Sequence, residues 1–355
     1  MMKKITLLCF LLSVVLLING IVECRPEPRR RHRKDDFMVF VFGDSFVDAG
    51  NRPPTTHTTE WSRQWFQPYG VSDSLHHHRA TGRMSDGLVQ SDFLARMLGQ
   101  DESPPAYRLG RQSNDDEVVD ASGVNFAMSG SAVVSQGEGG PPSLDDQIDE
   151  LSRLVRHGII DREADLEDSV ALIAFSGVKD YSALYVGATH DEIMALAGNL
   201  IDKMSDGVKQ LQDLGVSKVL VNSMPPIGCQ PYQTWMSNYA QCDAQVNTIS
   251  NLHNAALKKK LDGMEDVLVL DLDSTFTHLI QSAGFEGTYK PCCDGTSKPE
   301  GYCGEEDAQG KAQYSVCTNP EDFFYWDYVH PTQAGWEAVM DRLQQPILDF
   351  LGIYD

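Results

Sequence analysis

The sequence predicts a three-layer α/β/α sandwich in which helices cover both faces of a parallel central sheet. Two observations predict this fold class. Short apolar runs without alternation recur along the chain, which is typical of strands that are buried on both faces. Amphipathic helical segments separate several of these runs, and a strand–helix–strand order implies right-handed crossovers between parallel strands.

Four runs are predicted to be buried strands, because each is apolar throughout and is followed by polar or helical sequence. They are "FMVFVFG" (37–43), "VALIAFSG" (170–177), "KVLVNS" (218–223) and "DVLVLD" (266–271). Runs of this kind fit a sheet that has no solvent-facing side.

Three segments between and after these strands have helical periodicity. The first begins at a capping box formed by Thr189 and Glu192 and stops at Gly215. The second covers about 243–261 and the third 332–351, each with apolar residues recurring at helical spacing. These helices are the expected outer layers of the sandwich.

The N-terminal region predicts export from the cell. Two lysines precede an apolar stretch from Ile5 to Ile18, and residues 1–24 have the features of a secretory signal peptide too short to span a bilayer. Residues 25–36 form a basic tail that we expect to be disordered, in preference to a binding patch for anionic polysaccharide. Residues 37–355 contain no linker or repeat and are predicted to form a single domain.

Charge and hydropathy exclude two classes of partner. The chain carries 51 Asp and Glu against 29 Lys and Arg, a formal net charge of −22, whereas nucleic-acid binding needs a basic face. No stretch after the signal peptide is long and apolar enough to span a membrane.

The run "HHH" at 76–78 is predicted to be loop, because adjacent positions rarely converge on one metal ion.

Six cysteines remain after the signal peptide, an even number that predicts three disulfides in an oxidising compartment. They are Cys229, Cys242, Cys292, Cys293, Cys303 and Cys317. A metal site is the alternative, but no CxxC or HxxxH pair accompanies them. Cys229 and Cys242 flank a short loop before a helix and are expected to bond to each other. The adjacent Cys292 and Cys293 leave the order of the last two bonds open.

Ser45 is the first candidate for chemistry, because it directly follows the first strand, and ligand sites in open parallel sheets lie beyond the carboxyl ends of the strands. A helix N-cap is the alternative role for this serine. The C-terminal stretch "WDYVHPT" places Asp327 and His330 three residues apart before a helix. A carboxylate, an imidazole and a hydroxyl are the parts of a catalytic triad, which predicts a serine nucleophile.

Several stretches together resemble the GDSL esterases and lipases, part of the SGNH hydrolases, and in particular their secreted plant branch. The first is "FVFGDSFVDAGN" (40–51), in which Phe46 replaces the leucine of the signature. The others are "ATGRMSDGLVQSDFLA" (80–95), "GVNFAMSGSA" (123–132), "NSMPPIGCQP" (222–231), "NTISNLHNAALKKKL" (247–261) and "WDYVHPT" (326–332). The resemblance implies a flavodoxin-like SGNH hydrolase fold over nearly the whole mature chain.

The same resemblance implies roles for individual residues. Ser45 matches the nucleophile, with Asp327 and His330 as acid and base, and Gly130 matches the glycine whose backbone N–H donates to the oxyanion. The family has Gly-x-Asn-Asp after the second predicted strand, with the asparagine amide as a further oxyanion donor. This chain has "GVKD" there, so that Lys179 takes the place of the asparagine.

The resemblance therefore implies a secreted serine esterase or lipase, located in the apoplast or cell wall, that hydrolyses carboxylic esters through an acyl-enzyme on Ser45. It requires no metal or organic cofactor, and its partner is a small-molecule, lipid or cell-wall ester. Two alternatives are a degenerate binding protein that Lys179 has disabled and an acyltransferase that uses the same acyl-enzyme. The identity of the ester, its acyl length and the oligomeric state are left open by these motifs.

Overall fold

A five-stranded parallel sheet forms the centre of the protein. The structure is a computed structural model that describes residues 37–110, 119–282, 284–297 and 301–354. The strands are β1 (Met38–Gly43), β2 (Gly123–Asn125), β3 (Ser169–Ala174), β4 (Lys218–Asn222) and β5 (Val267–Leu270), in the spatial order β2-β1-β3-β4-β5. All neighbouring strands in this sheet pair in parallel. The predicted signal peptide and basic tail, residues 1–36, lie outside the described residues.

Among the described residues, six longer helices accompany the sheet. They are α1 (Gln90–Met97), α2 (Leu144–Arg156), α3 (His190–Leu214), α4 (Ala244–Leu261), α5 (Leu272–Gln281) and α6 (Gln333–Leu351). Helix α3 begins at the predicted capping box, in which the backbone N–H of Glu192 donates to Thr189 Oγ1 and the Glu192 carboxylate accepts from the backbone N–H of Thr189. It ends at Gly215, which has a positive φ of 114°. The three predicted helices are therefore confirmed, and α1, α2 and α5 are additional.

The two faces of the sheet belong to two separate apolar clusters, which gives the fold its three layers. One cluster joins α2, α3 and α4 to strand residues such as Phe40, Phe42 and Ile173. The other joins α1, α5 and α6 to the alternate strand residues, among them Val41 and Leu172. Successive side chains of a strand point to opposite faces, so a strand that is apolar throughout contributes to both clusters. The predicted α/β/α sandwich is confirmed.

Three disulfides stabilise the second half of the domain: Cys229–Cys242, Cys292–Cys317 and Cys293–Cys303. The first is the pair that the sequence predicts, and the other two settle the order that the adjacent cysteines left open. Two small sheets lie beside them, one pairing β6 (Gly287–Pro291) with β9 (Phe323–Tyr325) and one pairing β7 (Cys293–Gly295) with β8 (Tyr314–Val316). This disulfide-linked region lies outside the main sheet.

Two further predictions concern the histidine run and membrane-spanning segments. The histidines at 76–78 lie in a turn, as expected from the sequence. Within the part of the chain that the structure describes, no helix combines the length and the apolar character needed to cross a membrane.

Candidate active site

Ser45 lies in the turn that follows β1, at the carboxyl edge of the sheet. Its Oγ is 2.8 Å from His330 Nε2, although the two residues are 285 positions apart in the chain. His330 Nδ1 in turn lies 2.8 Å and 2.9 Å from the two carboxylate oxygens of Asp327. The structure thus brings together the three residues that the sequence predicts as a triad. No helix starts at this turn in the described chain, so Ser45 does not act as a helix cap.

The loop before α6 fixes the geometry of the Asp327–His330 pair. Asp327 Oδ1 accepts hydrogen bonds from the backbone N–H groups of Val329 and His330, each at 2.9 Å. Burial raises the pKa of the Asp327 carboxyl, but the charges of His330 and Arg63 and these hydrogen bonds outweigh it and hold the pKa below its usual range. An ionised Asp327 requires a proton on Nδ1 of His330, which leaves Nε2 free to accept from the Ser45 hydroxyl.

The other oxygen of Asp327 contacts two residues that the sequence analysis missed. Asp327 Oδ2 accepts from the Tyr69 hydroxyl at 2.8 Å and from Arg63 Nη2 at 3.2 Å. The two partners precede Asp327 by 258 and 264 residues and belong to none of the recognised motifs. Only the fold brings them next to the carboxylate.

Asp44 ties the turn of Ser45 to the end of β3. Its carboxylate accepts from the backbone N–H and the hydroxyl of Ser176 at 2.8 Å and 2.7 Å, and from the backbone N–H of Phe46 at 3.1 Å. Burial raises the pKa of Asp44, and the hydrogen bonds from Ser176 and Phe46 partly offset that rise. These contacts hold the backbone on both sides of Ser45 in a fixed position.

Gly130 lies in the turn from Met128 to Ser131, with a φ of +89° that favours glycine. A Cβ built on Gly130 would meet Trp61 at 3.7 Å, which is ordinary van der Waals contact. The requirement for glycine here is therefore conformational rather than steric. Gly130 and Ser45 line the same cleft.

Lys179 follows Gly177 in a helical turn after β3, and its side chain is exposed. Its Nζ lies 5.5 Å from the centre of the Trp61 ring, a cation–π contact, and both residues line the cleft of Ser45. The next residue, Asp180, turns inward and accepts from the backbone N–H of Val133 at 3.0 Å. Burial, and then the nearby Asp44, raise the pKa of Asp180 to about 7.

The cleft around these residues has a volume of about 330 Å³, and several aromatic side chains are part of its walls. Its aromatic side chains are Trp61, Tyr185, Tyr232, Tyr302 and Tyr328. Tyr302 precedes Cys303, so the Cys293–Cys303 disulfide anchors one wall of the cleft. The acidic residues of the lining are Asp44, Glu60 and Asp327, and the basic residues are Arg63 and Lys179. The space can admit a small ester, with flat apolar surfaces on several sides.

Comparison with known proteins gives the family. A sequence model described as "GDSL-like Lipase/Acylhydrolase" matches residues 39–343. Three similar relatives are GDSL esterase/lipases of Arabidopsis thaliana. At3g09930 is 30% identical, with 97% of this chain and 98% of the relative covered. At5g03610 is 32% identical, with 93% and 92% covered, and At5g03600 is 34% identical, with 88% and 95% covered.

Solved structures with a similar fold include a catalytic mutant of Axe2, an acetylxylan esterase from Geobacillus stearothermophilus. It is 12% identical, has a TM-score of 0.39, and the alignment covers 92% of this chain and 100% of the esterase. A putative GDSL-like lipase from Parabacteroides merdae is 13% identical with a TM-score of 0.38, and 92% of this chain and 100% of that protein are covered. The family match over nearly the whole domain, with close to full-length relatives, leads to one conclusion: this chain belongs to the GDSL esterase/lipase family of carboxylic ester hydrolases.

Proposed function

We propose that the protein is a secreted serine esterase that hydrolyses carboxylic esters through an acyl-enzyme on Ser45. The observation that supports this proposal most strongly is the chain of contacts from Ser45 Oγ to His330 Nε2 at 2.8 Å, and from His330 Nδ1 to Asp327 at 2.8 Å. A serine hydroxyl becomes a useful nucleophile when a neutral base accepts its proton, and this base is oriented by an ionised carboxylate.

The proposed reaction has two halves. Ser45 Oγ attacks the ester carbonyl carbon while His330 Nε2 takes the hydroxyl proton. The tetrahedral intermediate then collapses, and the leaving alcohol oxygen takes that proton from His330 as the C–O bond breaks. Water attacks the resulting acyl-enzyme with His330 again as base, which releases the carboxylic acid and restores the Ser45 hydroxyl. Asp327 stabilises the imidazolium that forms in each half.

The oxyanion of the intermediate needs hydrogen-bond donors that are already in place. We assign this role to the backbone N–H groups of Ser45 and Gly130 and to the ammonium of Lys179. Lys179 lines the same cleft as Ser45, and its contact with the Trp61 ring keeps the ammonium on the side of Gly130, which also packs near that ring. A lysine in this place supplies a charged donor where the family has an amide.

A binding protein without turnover is the second candidate. One observation favours it: in the resting protein the Lys179 ammonium contacts Trp61, and an amide donor of the kind the family uses is replaced at this position. An acyltransferase is the third, since an acyl-enzyme can pass its acyl group to an alcohol instead of water.

We also propose that the protein acts outside the cell, in the apoplast or cell wall. Three disulfides are typical of an oxidising compartment. The first 24 residues have the pattern of a secretory signal peptide. The net charge of −22 is unfavourable for a nucleic-acid partner. Because the family hydrolyses carboxylic esters, we assign a small-molecule, lipid or cell-wall ester as the substrate.

A fluorophosphonate probe together with hydrolysis of p-nitrophenyl acetate tests the proposal. We expect the wild type to be labelled and to release p-nitrophenol, and Ser45→Ala to do neither. Ser182→Ala is the matched control, because Ser182 lines the cleft but its hydroxyl donates to the backbone carbonyl of Lys179 at 3.1 Å. Labelling retained in Ser45→Ala contradicts the assignment. Release that needs an added alcohol identifies a transferase, and absence of both signals in the wild type identifies a binding protein.

A further inference from the structure

Arg63 and Tyr69 form a buried network behind the Asp327 carboxylate. The Tyr69 hydroxyl donates to Asp327 Oδ2 at 2.8 Å and accepts from Arg63 Nε at 2.7 Å, while Arg63 Nη2 donates to the same carboxylate oxygen at 3.2 Å. The three side chains therefore form a closed triangle of hydrogen bonds. One corner of that triangle is the acid of the proposed triad.

This network is enclosed by protein. Tyr69 is 0% exposed, and its ring meets Trp326 edge-on at 6.0 Å. The side chains of Arg63 and Asp327 are 11% and 3% exposed. A buried charge is costly unless it is paired and hydrogen-bonded, and here each charge has a partner of opposite sign. The arrangement therefore constrains the carboxylate more strongly than a surface ion pair would.

Each of the two carboxylate oxygens of Asp327 is held by a different set of donors. Oδ1 is held by backbone N–H groups of its own loop, and Oδ2 is held by Arg63 and Tyr69 from the segment before α1. With both oxygens fixed, the plane of the carboxylate, and through it the His330 ring, has one orientation. Hydrogen bonds to a group that orients a catalytic side chain are commonly needed for full activity.

Arg63 also has an electrostatic effect that Tyr69 lacks. The guanidinium is a permanent positive charge, and protonation of His330 places a second positive charge on the other side of the same carboxylate. Arg63 therefore opposes protonation of His330, as does the Lys179 ammonium in the same cleft, whereas Asp327 and the buried Asp44 favour it. Tyr69 is a neutral donor, so its removal weakens the orientation of Asp327 without removing a charge.

We propose that Arg63 and Tyr69 are positioning residues that act through Asp327, and that the positive charge of Arg63 in addition disfavours the imidazolium form of His330. The proposal rests on the proposed function of Ser45, Asp327 and His330. It adds a distinct role for two residues outside the recognised motifs.

Three variants test it by the pH profile of kcat/KM for p-nitrophenyl acetate. Arg63→Met is expected to move the acid limb upward by about 0.5–1 pH unit, because it removes the charge. Arg63→Lys keeps the charge and is expected to leave the limb in place while lowering kcat. Tyr69→Phe keeps the ring against Trp326 and is expected to lower kcat about tenfold, with KM unchanged and a smaller movement of the acid limb.

The matched control is Tyr107→Phe, which removes a hydroxyl that donates to Glu150 at 2.6 Å outside the cleft of Ser45. Urea unfolding of every variant separates lost activity from lost stability. The proposal is overturned if Arg63→Met leaves the acid limb unchanged, or if Tyr69→Phe loses no more kcat than Tyr107→Phe.

A second readout does not depend on turnover. In NMR titrations, the His330 imidazole signals of Arg63→Met should shift at higher pH than those of the wild type, and those of Arg63→Lys at the same pH. An unlabelled, inactive wild type refutes the proposed function of the site but leaves this titration measurable. Equal titrations of Arg63→Met and the wild type refute the role of Arg63 whether or not the protein is an esterase.

Discussion

Replacing Lys179 with methionine tests the unusual feature of this site. A donor to the oxyanion is worth about 2.7–4 kcal/mol in an acyl-transfer enzyme. The Lys179 ammonium contacts the Trp61 ring in the resting protein, and leaving an exposed cation–π contact costs about 0.5–1 kcal/mol. The difference is about 2–3 kcal/mol, so Lys179→Met should lower kcat roughly 30- to 150-fold.

The assay is hydrolysis of p-nitrophenyl acetate across a range of pH, with Lys179→Asn and Lys209→Met as companions. Lys179→Asn restores the amide of the family and should keep kcat within about tenfold of the wild type. Both changes at Lys179 remove a positive charge near His330, so both should move the acid limb of the profile upward. Lys209 pairs with Asp206 on the surface of α3, and its replacement should change neither quantity.

An unchanged kcat in Lys179→Met would refute the reasoning, because the ammonium would then point away from the developing oxyanion. One other outcome of the same assay would favour the binding-protein candidate. If the wild type is inactive and Lys179→Asn gains turnover, Lys179 has disabled a site whose other parts are intact.

Three further predictions concern stability and the cleft wall. Gln147 is 2% exposed and makes two hydrogen bonds to the backbone of Gly43, at 2.8 Å and 3.0 Å. Gln147→Leu should therefore lower the free energy of unfolding by about 1–3 kcal/mol, as measured in urea, whereas Gln345→Leu, at an exposed position of α6, should have little effect. Replacing both Cys293 and Cys303 with alanine removes their disulfide and should lower the free energy of unfolding by roughly 3 kcal/mol. It should also raise KM, because Tyr302 in the cleft wall is no longer held in place. A KM equal to that of the wild type would show that Tyr302 does not contact substrate. The raised pKa of Asp180, about 7, means that the folded protein keeps a proton that the unfolded chain releases near pH 4. This group therefore makes the free energy of unfolding fall as pH rises from about 4 through 7, and Asp180→Asn should show a weaker decline between pH 5 and 8 than the wild type does.

Local patterns were sufficient to predict most of the central sheet. The four apolar runs correspond to β1, β3, β4 and β5, since burial of a strand on both faces leaves an apolar signal in the sequence. The edge strand β5 has this signal although three of its four residues are only half-buried. Strand β2 was missed, because its three residues are too few for any periodicity. Pairing among the last four cysteines was also beyond the sequence, because adjacent cysteines can exchange partners without altering any local pattern.

In the candidate site, too, some residues could be predicted from the sequence and others could not. Ser45 and the Asp327–His330 pair have local signals, namely a serine after a strand and a carboxylate three residues before a histidine. Arg63 and Tyr69 have none, because an arginine and a tyrosine in a polar loop look like ordinary surface residues until the fold places them against Asp327. They are more than 250 residues away from Asp327 in the sequence, and a local sequence motif cannot relate residues that far apart.

The 285-residue separation between Ser45 and His330 has a consequence for the biogenesis of the protein. During synthesis Ser45 emerges early, and His330, its proposed base, is added only when the last tenth of the chain leaves the ribosome. Long-range contacts of this kind form late and slowly in folding. A nascent or truncated chain that ends before Asp327 therefore lacks both residues that the proposed mechanism uses to activate Ser45. For the same reason, the rate at which a fluorophosphonate labels Ser45 during refolding would report when the segment with Asp327 and His330 reaches Ser45.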